Sequence, residues 1–170
     1  MKIGEELARA RKRQGVTQDQ LALDLPVSRE SIAKYEIGSR RLPEDMRRPI
    51  AKQIDDEEYY FKTWGDAAGE VSIPYLNGEY VDQHPASMAF LTKKETDEAT
   101  EHLQRVCWTK PVHTVSELER EDVKRAIFET LDAATSMINL VAVICREHKF
   151  SMKKLFAEWR LTLKARRMEK

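Results

Sequence analysis

The sequence predicts a mainly α-helical protein. It reads as an N-terminal domain of four to five short helices, a connecting region with room for one small hairpin, and a C-terminal helical domain with one long helix. Three observations carry that prediction. Apolar residues at helical spacing, interleaved with capping signals, recur from Ile3 to Ile54. Gly65, Gly69, Pro74, Gly78 and Pro85 then punctuate residues 62–87. Finally, an apolar pattern runs without glycine or proline from Ser116 to about His148. The expected boundaries are 1–61, 62–87 and 88–170.

The first helix is expected from about Ile3 to Gln14. Ile3, Leu7 and Ala10 share a face, and Arg9, Arg11, Lys12 and Arg13 lie largely off it. Gly15 suits a left-handed stop. Thr17 with Gln20 forms a capping box for the second helix, which presents Leu21, Ala22 and Leu25. Ser28 is placed to cap a third helix, and Gly38 to end it. Only Ile32, helped by Ala33 and Tyr35, looks buried there. Arg29, Glu30, Ser31 and Lys34 face out near its start. Such a short helix is held by its neighbours rather than by propensity.

This pattern resembles the lambda-repressor/Cro-type (Xre-like) helix-turn-helix family, over residues 3–54. The residues that carry the resemblance are Thr17-Gln18, Leu21-Ala22, Val27-Ser28, Ile32, Glu36, Gly38, Arg40 and Ile50-Ala51. The resemblance implies a third helix lying in the major groove of DNA. Arg29, Glu30 and Lys34 would then face base edges. Gln18 and Arg40 would hold phosphates, with Ser28, Ser31 and Arg41 beside them. Three positions depart from the family pattern. Pro26 stands where the turn usually carries glycine, and proline cannot adopt positive φ. Pro43 falls one residue late, and Arg47 replaces an expected leucine. Pro49 adds a reason for a kinked or late fourth helix.

Formal net charge is zero, but its distribution is uneven. Residues 1–54 hold 12 Lys+Arg against 8 Asp+Glu, residues 55–148 hold 9 against 19, and residues 149–170 hold 8 against 2. The basic N-terminal stretch attracts phosphate, and the acidic middle reads as a solvated helical surface. Cys107 and Cys145 are far apart, no signal peptide is visible, and the longest apolar run, Leu140 to Cys145, is too short to span a bilayer. These features predict a cytoplasmic chain with reduced thiols and no membrane partner. Cys145 and His148 share a helical face, but Cys107 to His113 is too loose for a zinc pair, so neither metal nor cofactor is expected.

Within 62–87, Val71–Leu76, Asn77-Gly78 and Glu79–Val81 fit a small β-hairpin with Pro74 on an edge strand. An ordered loop packed by Trp64, Tyr75 and Tyr80 fits the same residues. Three helices follow. Thr92 with Glu95 forms a capping box, and Pro111 ends that element. Ser116 with Glu119 opens a helix of some 30 residues. Along it Ile127, Leu131, Ala134, Ile138, Val141 and Cys145 alternate steps of four and three, a coiled-coil-like seam. Phe128, Met137, Leu140 and Ile144 form a second stripe. A helix apolar on most sides must be covered on most sides, by its own domain or by a second subunit. Ser151 caps the last helix, with Phe150 placed to staple to Leu155.

No glycine-rich phosphate loop, Ser/Lys or Ser/His/Asp set, or His-Glu-x-x-His is present, so no enzyme is expected. Two functions follow from the resemblance and the seam. One is a DNA-binding transcriptional regulator, a repressor of bacterial, phage or plasmid origin, binding a palindromic operator as a dimer or tetramer. The other is an interaction module whose C-terminal helices bind a peptide, toxin or antirepressor.

Overall fold

A computed structural model describes residues 2–170. Its helices are α1 (Ile3–Arg13), α2 (Gln18–Leu23), α3 (Arg29–Glu36), α4 (Glu44–Ile54), α5 (Glu57–Ala68), α6 (Pro85–Arg105), α7 (Glu117–His148) and α8 (Met152–Ala165), with a 3-10 turn at Val112–Thr114. Among the described residues there is no strand. Two compact units result: residues 2–75 with 148–170, and residues 76–147. This division differs from the boundaries read off the sequence, because α5 continues past position 61 and α8 returns to the first unit.

The first unit buries Leu7, Leu21, Ile32, Tyr35, Ile50 and Tyr59. Its helices begin as their side chains dictate. Thr17 and Gln20 form the reciprocal capping box of α2, and the Ser28 hydroxyl accepts the Ser31 N–H at the start of α3. Gly15 and Gly38 take positive φ at the two helix ends. Pro26 closes the α2–α3 turn without positive φ. The Val27 N–H donates to the Leu25 carbonyl at 2.8 Å, a three-residue γ-turn whose central φ proline supplies. Pro49 sits inside α4 without ending it, and Arg47 reaches Asp66 of α5 in an ion pair. That pairing explains an arginine where the family pattern carries leucine.

Helices α1 and α3 cross closely at Gly4. A Cβ built there would lie 2.0 Å from the Tyr35 carbonyl oxygen. Gly4→Ala would gain helix propensity of about 1 kcal/mol, but the clash is with backbone and forces the helices apart, at a cost of about 1–3 kcal/mol or more. We expect net destabilisation, read as a lower midpoint in urea. An unchanged or raised midpoint would show that the helices do not cross this closely.

At the far end of α4, Asp55 adopts a left-handed conformation, φ 52°. Its carboxylate accepts the Tyr60 hydroxyl at 2.9 Å, the Ser151 hydroxyl and the Lys153 N–H at 3.1 Å. Lys153 Nζ also donates to the Lys52 carbonyl at 2.8 Å. These bonds fix the start of α8 to this unit, and Ser151 caps α8 as expected. Phe150 stacks on His148, with ring centroids 5.8 Å apart.

The second unit is an antiparallel pair, α6 and α7. His102 lies 3.9 Å from Glu129, Lys110 pairs with Glu119 at 2.6 Å, and Arg146 donates to Gln83 at 2.8 Å. The Ser116–Glu119 capping box forms, and the Lys110 ammonium with the Ser116 donors holds the Glu119 carboxyl down to about 2. Three expectations are corrected here. Residues 71–81 form a loop, not a hairpin. The Leu76 N–H goes to Asn139 Oδ1 and its carbonyl to Gln83 Nε2, so side chains satisfy what a strand partner would have. Helix α6 starts at Pro85 behind the His84 cap, so Thr92 lies inside it and its carbonyl accepts from Thr96. Pro111 follows the end of that helix at Arg105 and instead precedes the 3-10 turn.

Ala126, Ala133 and Ser136 are buried on the side of α7 where Glu129 meets α6. The larger residues are left outside: Ile127 and Leu131 are each 51% exposed, and Phe128, Met137, Val141 and Ile144 are also exposed. Ala134 and Ile138 are half-buried. Cys145 is not on the uncovered seam: it is 1% exposed, because the last turns of α7 are enclosed on several sides with Ala142 and Val143. By length and composition α7 is a helix apolar enough to cross a bilayer, although its longest unbroken apolar run is short.

Candidate nucleic-acid interface

The local sequence forces α3 to show its polar side. Ile32 and Tyr35 turn inward, so Arg29, Glu30 and Lys34 must turn out, and all three are exposed. The Ser28 hydroxyl caps the first turn of α3, and the Glu30 carboxyl is held below its usual range by its own backbone N–H and by Ser28. Arg29 leans toward Asp19 of α2 at 3.6 Å, an exposed pair that costs little to break. Ser31 is half-buried, and its side chain meets Ser28 at 3.3 Å.

The flanks differ in how committed they are. Arg41 is exposed and meets Glu44 loosely at 3.5 Å. The Arg40 guanidinium lies over the Tyr35 ring, 5.5 Å from its centroid. Gln18 donates its side-chain amide to Glu36 at 2.8 Å. The same Glu36 carboxylate accepts two bonds from Arg11, at 2.6 and 3.0 Å, and Arg11 also donates to the Val16 carbonyl. Gln18 is therefore positioned by a buried carboxylate that ties α1, α2 and α3 together. A primary amide carries two hydrogens, and this contact uses one of them.

A second set of charges lies behind this surface. Arg13 binds Glu6 at 2.5 Å, Asp56 at 2.6 Å and Glu58 at 2.8 Å. Glu6 is 0% exposed and Asp56 2%. Burial pushes the Glu6 carboxyl up, against the lowering effect of Arg13. Sequence reading placed Arg13 on an outward basic face. Glu6 on the same helix and the distant acids at 56 and 58 draw its guanidinium into this cluster, and no local pattern reveals the distant two.

Residues 2–53 match the family model of a helix-turn-helix domain. This segment is a helix-turn-helix domain. A domain of this kind supports DNA as a partner. No curated protein and no solved structure matches the chain.

Proposed function

We propose that the protein is a sequence-specific transcriptional regulator of bacterial, phage or plasmid origin. It acts in the cytoplasm, binds a palindromic operator as a dimer or tetramer and represses by occupying it. The observation that supports specificity is the exposed row Arg29, Glu30 and Lys34 on a capped helix of the helix-turn-helix domain. Side chains early in such a helix reach base edges, while Gln18, Ser28, Ser31, Arg40 and Arg41 serve the phosphates. The helix-turn-helix domain alone would bury only about 600–1,000 Å² on DNA, so tight binding calls for two copies on adjacent half-sites. The exposed Ile127, Leu131 and Val141, with the half-buried Ala134 and Ile138 beside them, are suited to join them.

Selection of bound duplexes from a random pool tests this reading directly. On the selected site, Arg29→Ala is expected to lose about 1–3 kcal/mol and relax one base position. Gln18→Ala should weaken all sequences alike. If Arg29→Ala binds with unchanged preference, α3 does not read bases. The same α7 residues also favour a second reading, in which they hold a peptide, toxin or antirepressor. A monomeric chain in sedimentation would support that alternative.

A further inference from the structure

The unit containing the helix-turn-helix domain joins two chain segments of opposite electrostatic character. Residues 2–75 hold 13 Lys+Arg against 14 Asp+Glu, net −1, and residues 148–170 hold 8 against 2, net +6. Several cations of the first segment are already engaged: Arg11 with Glu36, Arg13 with three carboxylates, and Arg47 with Asp66. A duplex carries one negative charge per about 1.7 Å. Arg29, Lys34, Arg40 and Arg41 stay exposed to that field, but the segment as a whole carries no excess of positive charge. The excess of the unit comes with residues 148–170.

Helix α8 is fixed to this unit by Asp55, and its apolar stripe is only partly covered, with Leu155 and Trp159 exposed. Met152 is buried, and Phe156 and Leu163 are half-buried. Lys153, Arg160 and Lys164 fall seven and four residues apart, on one helical stripe about 16 Å long. All three are exposed, and Arg167 follows just past the helix end. Arg160 pairs with Glu169 at the surface, a contact that a phosphate can replace at little cost.

We propose that α8 is a second DNA-binding element, whose Lys153, Arg160, Lys164 and Arg167 neutralise phosphates of the duplex bound by the helix-turn-helix domain. It contributes affinity without sequence preference. This inference rests on the DNA-binding reading above, and the test separates the two. The full chain carrying Arg160→Gln, Lys164→Gln and Arg167→Gln is compared with wild type on selected and scrambled duplexes across a salt series. All three positions are exposed, so folding is expected to be retained, which circular dichroism checks.

The expected result is a slope of log affinity against log salt shallower by about 2–3, with an equal fold-loss on both duplexes and base preference intact. An unchanged slope, with Arg29→Ala still relaxing preference, overturns the role of α8 and leaves the DNA-binding reading standing. Loss of binding to anionic phosphatidylserine vesicles with an unchanged DNA slope overturns it in favour of a membrane partner. A control on the other unit, Lys93→Gln with Lys94→Gln, should leave the slope as in wild type. A control that matched the α8 variant would show a general charge effect and also overturn the proposal.

Discussion

Leu131→Glu is expected to turn an assembled protein into a folded monomer. Leu131 is 51% exposed in the single chain, so the charge costs the isolated fold little. Across a two-subunit seam the same carboxylate would be buried without a partner, a cost of several kcal/mol in effective terms. No Lys, Arg, Asp or Glu occurs from Ala133 to Cys145 to compensate it. Sedimentation velocity reads the loss of mass, and circular dichroism reads retained helix. Binding to an operator with two half-sites should collapse, while binding to one half-site is unchanged. If the variant sediments as wild type does, the seam is not what joins the subunits.

Arg13→Met is expected to lower the stability of the DNA-binding unit. Arg13 is the shared counter-ion of Glu6, Asp56 and Glu58, and the first two are buried. The Arg13 side chain is 35% exposed, so its removal should cost less than the about 3–5 kcal/mol of a fully buried ionic set, against about 5–15 kcal/mol for a whole domain. The sign of the pH dependence checks the cause. Burial raises the folded Glu6 pKa, so its contribution to stability is present below its unfolded pKa and is lost as pH rises through the folded one. Without Arg13 that rise grows, so the variant's deficit should be largest near pH 7 and narrow toward pH 4. Urea unfolding at the two pH values measures it. Adding Glu6→Gln should recover part of the loss at pH 7. A deficit equal at both pH values would show that charge burial is not its origin.

The N-terminal helices were legible because their signals are local. Thr17 with Gln20, Ser28 with Ser31, and Gly38 each act within four residues. The outward placement of Arg29, Glu30 and Lys34 follows from the same short-range geometry. What escaped the sequence depends on distant partners. Arg11 and Gln18 meet at Glu36, Arg13 meets Asp56, and Asp55 receives Ser151 from 96 positions away. The hairpin misread at 71–81 has the same origin, since Asn139 accepts the N–H that a strand would have bonded. Cys145 was misplaced because heptad spacing shows which residues align, not what encloses them.

The clasp between Asp55 and the start of α8 also sets an order of events during synthesis. Residues 2–75 leave the ribosome first, and the chain must then make the whole α6–α7 pair before Ser151 exists to meet Asp55. At about 5–20 residues per second, that interval is on the order of 4–15 seconds. Throughout it the nascent unit carries net −1 and lacks the eight basic residues of 148–170. The α7 surface emerges within the interval, ahead of those residues. Whatever attraction for the chromosome the basic residues of 148–170 add is therefore acquired last.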